Sequence, residues 1–126
     1  MGVSSSGAAK VIPRPRGTTK AKGSVTTTDT YQTVTGCEIA VTKGKTFHLA
    51  KLTVSCSEDV MVKIRWDGSD ISVEYYVMAK LPFTDWFPWD WHPCEGDGTK
   101  KIDVQAKYPS GGAAATVYCE LAGEEV

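Results

Sequence analysis

From Thr30 onward the apolar residues recur at every second position, the spacing that puts alternate side chains on one face of a β-strand. Val60, Val62, Ile64 and Trp66 alternate with Met61, Lys63 and Arg65, and Ile71, Val73, Tyr75 and Val77 alternate with Ser72, Glu74, Tyr76 and Met78. Between these runs, Asp67-Gly68-Ser69-Asp70 carries the chemistry of a hairpin turn, because glycine takes a positive φ freely and aspartate bonds its own backbone. A second hairpin is predicted from Ile102, Val104, Ala106 and Tyr108 with Ala113, Ala115, Val117, Cys119 and Leu121, across Pro109-Ser110-Gly111-Gly112. Tyr31 to Thr35 and the group Cys37, Ile39 and Val41 add strand character before a turn at Lys43-Gly44-Lys45. In the next strand Phe47 and Leu49 hold one parity while Leu52, Val54 and Cys56 hold the other, so a β-bulge at Ala50-Lys51 is needed to keep both groups on one core. No segment carries a 3.6-residue apolar stripe. About seven short strands separated by turn signals predict an all-β fold, an antiparallel β-sandwich of jelly-roll or immunoglobulin-like type, with the strand order left open.

Charge divides the 126 residues at nearly the same point as the strand pattern. The first acidic residue is Asp29, and before it stand Lys10, Arg14, Arg16, Lys20 and Lys22; the rest of the chain holds nine Lys/Arg against all fifteen Asp/Glu. Residues 1–28 therefore read as an extended basic N-terminal arm and residues 29–126 as a β-sandwich domain, a size at which one core folds without staples. Pro13 and Pro15 keep the residues before them extended, and Thr18, Thr19, Thr26, Thr27 and Thr28 suit addition of a strand to a neighbour's sheet edge. The arm has no interleaved aromatic to stack bases and the domain behind it would repel a polyanion, so the expected partner is protein and not nucleic acid. Met1-Gly2-Val3-Ser4-Ser5-Ser6 fits the permissive myristoylation pattern, but no apolar run approaches the ~18 residues of a membrane span, and no membrane partner is expected. Met1 to Lys10 has no apolar h-region, so the chain is expected to be soluble and made in a cytosol. Cys37, Cys56, Cys94 and Cys119 fit neither a zinc knuckle nor a redox pair; reduced thiols are the default, three of them on core parity and Cys94 in a loop.

Residues 80–99 form an insertion with Pro82, Pro88 and Pro93 and three of the four tryptophans, too long and too apolar for plain connection. Three uses are open to it. Phe83, Trp86, Phe87, Trp89 and Trp91 could anchor a subunit contact; Trp89 and Trp91 could stack on sugar rings while Asp85, Asp90 and His92 bond hydroxyls; or the loop could fold back and cap one end of the sandwich. Catalytic chemistry has no comparable signal. His48 and His92 lack any motif for a base or a metal ligand, and Asp85, Asp90 and Glu95 read as solvated loop carboxylates, so no enzyme activity, metal or cofactor is expected.

The arm, the Asp67-Gly68 and Gly96-Asp97-Gly98 turns, the Leu81-Pro82-Phe83 to Trp86-Phe87-Pro88 insertion and the small-residue end Leu121-Ala122-Gly123-Glu124-Glu125-Val126 together resemble bacteriophage structural proteins, in particular jelly-roll decoration or cement proteins of tailed-phage capsids. The resemblance is one of layout and suits a fibre, neck or tail module as well. It implies a homotrimer on the capsid exterior, made in the host cytoplasm, whose arms run onto the major capsid protein or an adjacent copy. On that expectation Lys10, Val11, Ile12, Arg14, Arg16, Lys20 and Lys22 are arm contacts and the tryptophan loop is a subunit contact. The alternative is a carbohydrate-binding module of a phage fibre or adhesin.

Overall fold

The computed structural model describes residues 13–126. Ten strands run in chain order: β1 Thr19–Thr26, β2 Gln32–Ala40, β3 Thr46–Cys56, β4 Val60–Trp66, β5 Ser69–Asp70, β6 Tyr75–Val77, β7 Phe83–Trp86, β8 Cys94–Glu95, β9 Lys101–Lys107 and β10 Thr116–Glu125. They form two antiparallel sheets. One has the order β1-β10-β3-β7, with β8 also on β3; the other has β2-β9-β4-β5, with β6 also on β4.

The pairing has a simple logic once the chain is followed from both ends. β1 pairs β10, β2 pairs β9, β3 pairs β7 and β8, and β4 pairs β5 and β6, so the first half of the chain lies antiparallel to the second half in reverse order. The tip of this ribbon is Asp67-Gly68, with φ of 51° and 81°, the two positive values of a type I′ hairpin whose twist suits the flanking strands. Wrapped so that β10 meets β3 and β9 meets β4, the ribbon is a jelly roll. The immunoglobulin-like alternative falls with that strand order.

The two predicted hairpins fare differently. The first forms at its tip, where Arg65 faces Asp70 and Trp66 faces Ser69. Farther down, Val60 faces Val77 and Val62 faces Tyr75, a slip of two residues taken up by 71–74, where the Ile64 amide donates to Ser72 Oγ at 2.8 Å. The slip preserves parity but pushes Val73, predicted inward, out to 69% exposure. The second hairpin does not exist: β9 and β10 belong to different sheets, and 108–115 crosses between them. Its length permits this, since a step across the roughly 10 Å between sheets needs more than a two-residue turn.

Inward parity builds the core. Val54, Leu52, Val62, Ile64, Ile102, Val104, Val117 and Leu121 are fully buried, each stabilising by about 1.5–3 kcal/mol on removal from water. Cys37, Cys56 and Cys119 lie among them as free thiols, as their parity predicted. Cys94, expected in a loop, is equally buried because β8 pairs with Phe47; burial pushes its thiol up to about 12.

The bulge lies where the parity reversal placed it. Lys51 faces Ala122 and Leu49 faces Gly123, leaving Ala50 without a partner on β10. Gly123 is required there, because a Cβ would stand 2.4 Å from both the His48 carbonyl and the Phe47 ring. Gly123→Ala should destabilise by about 3 kcal/mol, near the upper range for overpacking, read as a lowered denaturant midpoint. Gly17→Ala, whose Cβ would meet Ala122 at an ordinary 3.4 Å, should stay within about 0.5 kcal/mol of the parent.

Candidate functional site

The bulge turns His48 away from the core, and the tryptophan insertion folds back onto it. The indole of Trp89 stacks on the His48 ring with centroids 3.8 Å apart and planes 14° apart, and His48 Nδ1 lies 2.8 Å from the Trp89 carbonyl. The Phe87 amide donates to the carbonyl of the bulged Ala50 at 2.9 Å, which draws the Phe87 ring down to 4% exposure. Trp91 packs against Phe87 with centroids 4.4 Å apart. Phe83 is half-buried on β7 against Tyr75. The insertion is thus a cap with one ring left out: Trp86, half exposed at the end of β7.

The N-terminal segment is part of the same construction. The Trp89 amide donates to the Pro13 carbonyl at 2.8 Å, the Arg14 guanidinium lies 5.3 Å from the Trp86 ring centre, Pro15 is buried, and the Arg16 amide donates to Glu124 Oε1 at 2.9 Å. Residues 13–18 therefore cross the outer face of the β1-β10-β3-β7 sheet from the tryptophan cap to the end of β10. They then turn down its edge as β1, which is why Ala122 is fully buried although it points away from the core. Lys51 approaches Trp86 from the sheet at 5.5 Å, so two cations share that ring.

The sequence-predicted residues are distributed as follows. Lys10, Val11 and Ile12 lie outside the described residues. Arg14 joins Trp86, so the arm and the loop, treated as separate in the sequence, meet at one place. Lys20 and Lys22 are exposed but belong to β1, which pairs with β10 of its own chain, with Lys22 facing Glu120. The sheet therefore begins at Thr19, inside the segment assigned to the arm, and in this structure that strand pairs with β10 of its own chain. Phe87 is a core residue, Trp89 has one face taken by His48, and Trp91 is held against Phe87; the stacked platform expected of Trp89 and Trp91 is not laid out open to solvent.

A second exposed apolar stretch, which the sequence did not single out as a surface, lies between β5 and β7. Between 73 and 81, where the chain crosses from one sheet to the other, Val73, Tyr76, Met78 and Leu81 stand more than half exposed. Asp59 positions this stretch by accepting from the Ala79 amide and the Tyr76 hydroxyl, both at 2.8 Å, and these bonds hold its carboxyl below the usual range. Two of these residues carried a signal, since Tyr76 and Met78 are apolar at positions of outward parity.

The two outer sheet faces differ in how their charges are used. On the β2-β9-β4 face Arg65 grips Asp103 through two bonds of 3.0 and 2.7 Å, Lys101 meets Glu38 at 2.8 Å and Lys63 meets Asp70 at 3.0 Å. The β1-β10-β3 face is rich in hydroxyls, and its ion pair among the described residues is the loose Lys51 to Glu120 contact of 3.8 Å. A shallow groove of about 520 Å³ crosses it beside the exposed Tyr118. Among the described residues no group of three or more His, Cys, Asp or Glu is arranged to hold a metal ion. Compared with known proteins, the chain matches no family model and no curated protein.

Trp89→Ala should cost about 2–3 kcal/mol by removing the stack on His48, whereas Trp86→Ala should cost less than about 1 kcal/mol; chemical denaturation separates the two. A second test concerns acid. The amides of Lys100 and Thr99 and the Thr99 hydroxyl hold the Asp97 carboxyl down at about 2 from the ordinary 3.8. Because its folded value is depressed, Asp97 contributes fully above about pH 4 and loses that contribution as pH falls toward 2. Asp97→Asn should leave the fold intact and flatten the stability profile across that window.

Proposed function

We propose that this chain is a non-enzymatic structural component of a virion, a decoration or cement protein seated on the capsid exterior that binds the major capsid protein and neighbouring copies of itself, as a homotrimer. The observation that carries this reading is the exposed apolar stretch. Four of the seven large apolar side chains exposed among the described residues fall between 73 and 81, a concentration along the chain that supports an interaction site there. Two of the four, Tyr76 and Met78, are also of the residue types enriched at interfaces. The jelly roll supports the same reading by analogy, since viral capsid domains use this architecture, though fold alone does not assign function. The N-terminal segment supports it through charge: residues 13–28 carry four Lys/Arg and no acid, so they attract an acidic partner surface.

A carbohydrate-binding role is the second reading, favoured by one observation: the exposed Tyr118 ring stands beside a groove lined by Ser24, Thr53 and Ser55 hydroxyls. Lectins also use jelly rolls.

The test uses the full chain added to shells of its own phage from which this protein has been stripped. Saturable co-sedimentation is expected. Deletion of residues 1–12, which leaves every described strand in place, should reduce occupancy at equal concentration. Met78→Glu combined with Leu81→Glu should weaken attachment by about 30-fold or more, the scale of lost hot-spot contacts, with an unchanged circular dichroism spectrum. Equal occupancy for parent, truncated and substituted chains would sink the structural reading, and glycan-array binding lost in Tyr118→Ala would put the second in its place.

A further inference from the structure

β1 is an edge strand of its sheet, and its neighbours hold it mainly by backbone. Its eight residues alternate between half-buried and exposed and none is fully buried; Ala21 and Val25 are its apolar contributions to the core. Its tightest approach is at Gly23, where a Cβ would collide with the Thr35 carbonyl of β2, so the strand is keyed by main chain and not by an anchoring side chain. The end that leads into β2 is pinned differently. Thr27 is 2% exposed, its amide donates to the Ala115 carbonyl at 2.8 Å, its hydroxyl accepts from the Ala115 amide at 2.9 Å, and the Tyr108 amide donates to the Thr28 carbonyl at 2.9 Å. The firm point is Thr27; before it, the described segment is held by pairing with β10 and by the partly buried Ala21 and Val25 and the buried Pro15.

We infer that Pro13–Thr26 is exchanged between copies, pivoting at Thr27, so that β1 of one chain pairs with β10 of a second copy. The partner is fixed by chemistry: the slot on β10 offers Glu120 opposite Lys22 and Glu124 to the Arg16 amide, and a second copy presents the identical slot. Because every bond made at home is remade abroad, exchange changes little in contact energy, and the balance rests on chain entropy and local concentration. Reach is sufficient. Fourteen extended residues span about 45 Å, more than the roughly 35 Å diameter expected of a body of ~100 residues. Long-range attraction favours the move, since the segment carries Arg14, Arg16, Lys20 and Lys22 and no acidic residue. An isolated chain keeps its strand, and copies held side by side trade theirs; the inference rests on the proposal that copies assemble together.

The experiment uses full-length chain carrying Ser24→Cys and Tyr118→Cys, register partners on the outer face of the sheet, with Lys22→Cys and Glu120→Cys as an independent second pair. Samples equilibrated across a range of concentrations are oxidised with glutathione disulfide, which accepts the two electrons as the new bond forms and leaves as two reduced glutathiones. A strand at home gives a monomer with an internal disulfide. An exchanged strand gives a covalent dimer or a longer chain, resolved on a non-reducing gel. The expected result is a dimer-to-monomer ratio that rises about tenfold for each tenfold rise in protein concentration while dimers are the minority, as mass action requires. Internally bridged monomer alone, at every concentration and on shells, in both pairs would overturn the exchange. Covalent dimers in solution together with no attachment to shells would instead overturn the virion role and leave the exchange standing.

Discussion

The extra residue in β3 is the constraint on which the rest of this structure depends. A single unpaired Ala50 lets Phe47 and Leu49 share a core with Leu52, Val54 and Cys56, and without it half of the longest strand would face solvent. The same residue offers its carbonyl to Phe87, which pulls the tryptophan insertion down, while the turn in the strand presents His48 to Trp89. Gly123 on the opposing strand makes room for both. Trp89 then holds Pro13, so the N-terminal segment owes its course to a bulge more than thirty residues away in sequence.

What could be read from the sequence follows the range of the forces involved. Alternation is local, so most of the longer strands were legible from their own residues, and the Asp67-Gly68 turn and the bulge at Ala50 from residues 47–70 alone. Strand order is not local. Pro109-Ser110-Gly111-Gly112 has the composition of a hairpin turn, and nothing in those residues says that Val117 will prefer Cys56 and Val25 over β9. The ribbon of paired halves becomes visible only when all partners are known. Cys94 was misplaced for the same reason, since a two-residue strand has no periodicity to detect.

The functional surfaces were legible in part. That the tryptophan insertion exceeded a connection was clear from composition, but which ring stays outside was decided by hydrogen bonds to Ala50 and Pro13 that no pattern announces. Val73 shows the limit most plainly. Its parity is correct for the core, yet the Ile64 amide takes Ser72 Oγ in place of a strand carbonyl, the ladder slips by two, and the side chain is left in solvent. Tyr76 and Met78, by contrast, were written on the outward face and needed only to be weighed as apolar residues without a core.

The two sides of the sandwich are closed by different means, and this decides where a partner can act. On one side the long edges β1 and β2 cover each other, backbone against backbone at Gly23 and Thr35, leaving little unpaired edge to template another strand. On the other side the edges are β5 with β6 and β7 with β8, each broken into short pieces, and Asp85 occupies the Trp86 amide with its own carboxylate while the Tyr75 hydroxyl donates to its second oxygen. Strand addition is blunted there as well, so contact on that side has to come from side chains, and it is there that Val73, Tyr76, Met78 and Leu81 are displayed. Departure of β1 would convert the closed side into an open ladder along β10. The fold therefore offers two different surfaces: a side-chain surface that is exposed as it stands, and a main-chain ladder on β10 that would be open only if β1 moved out.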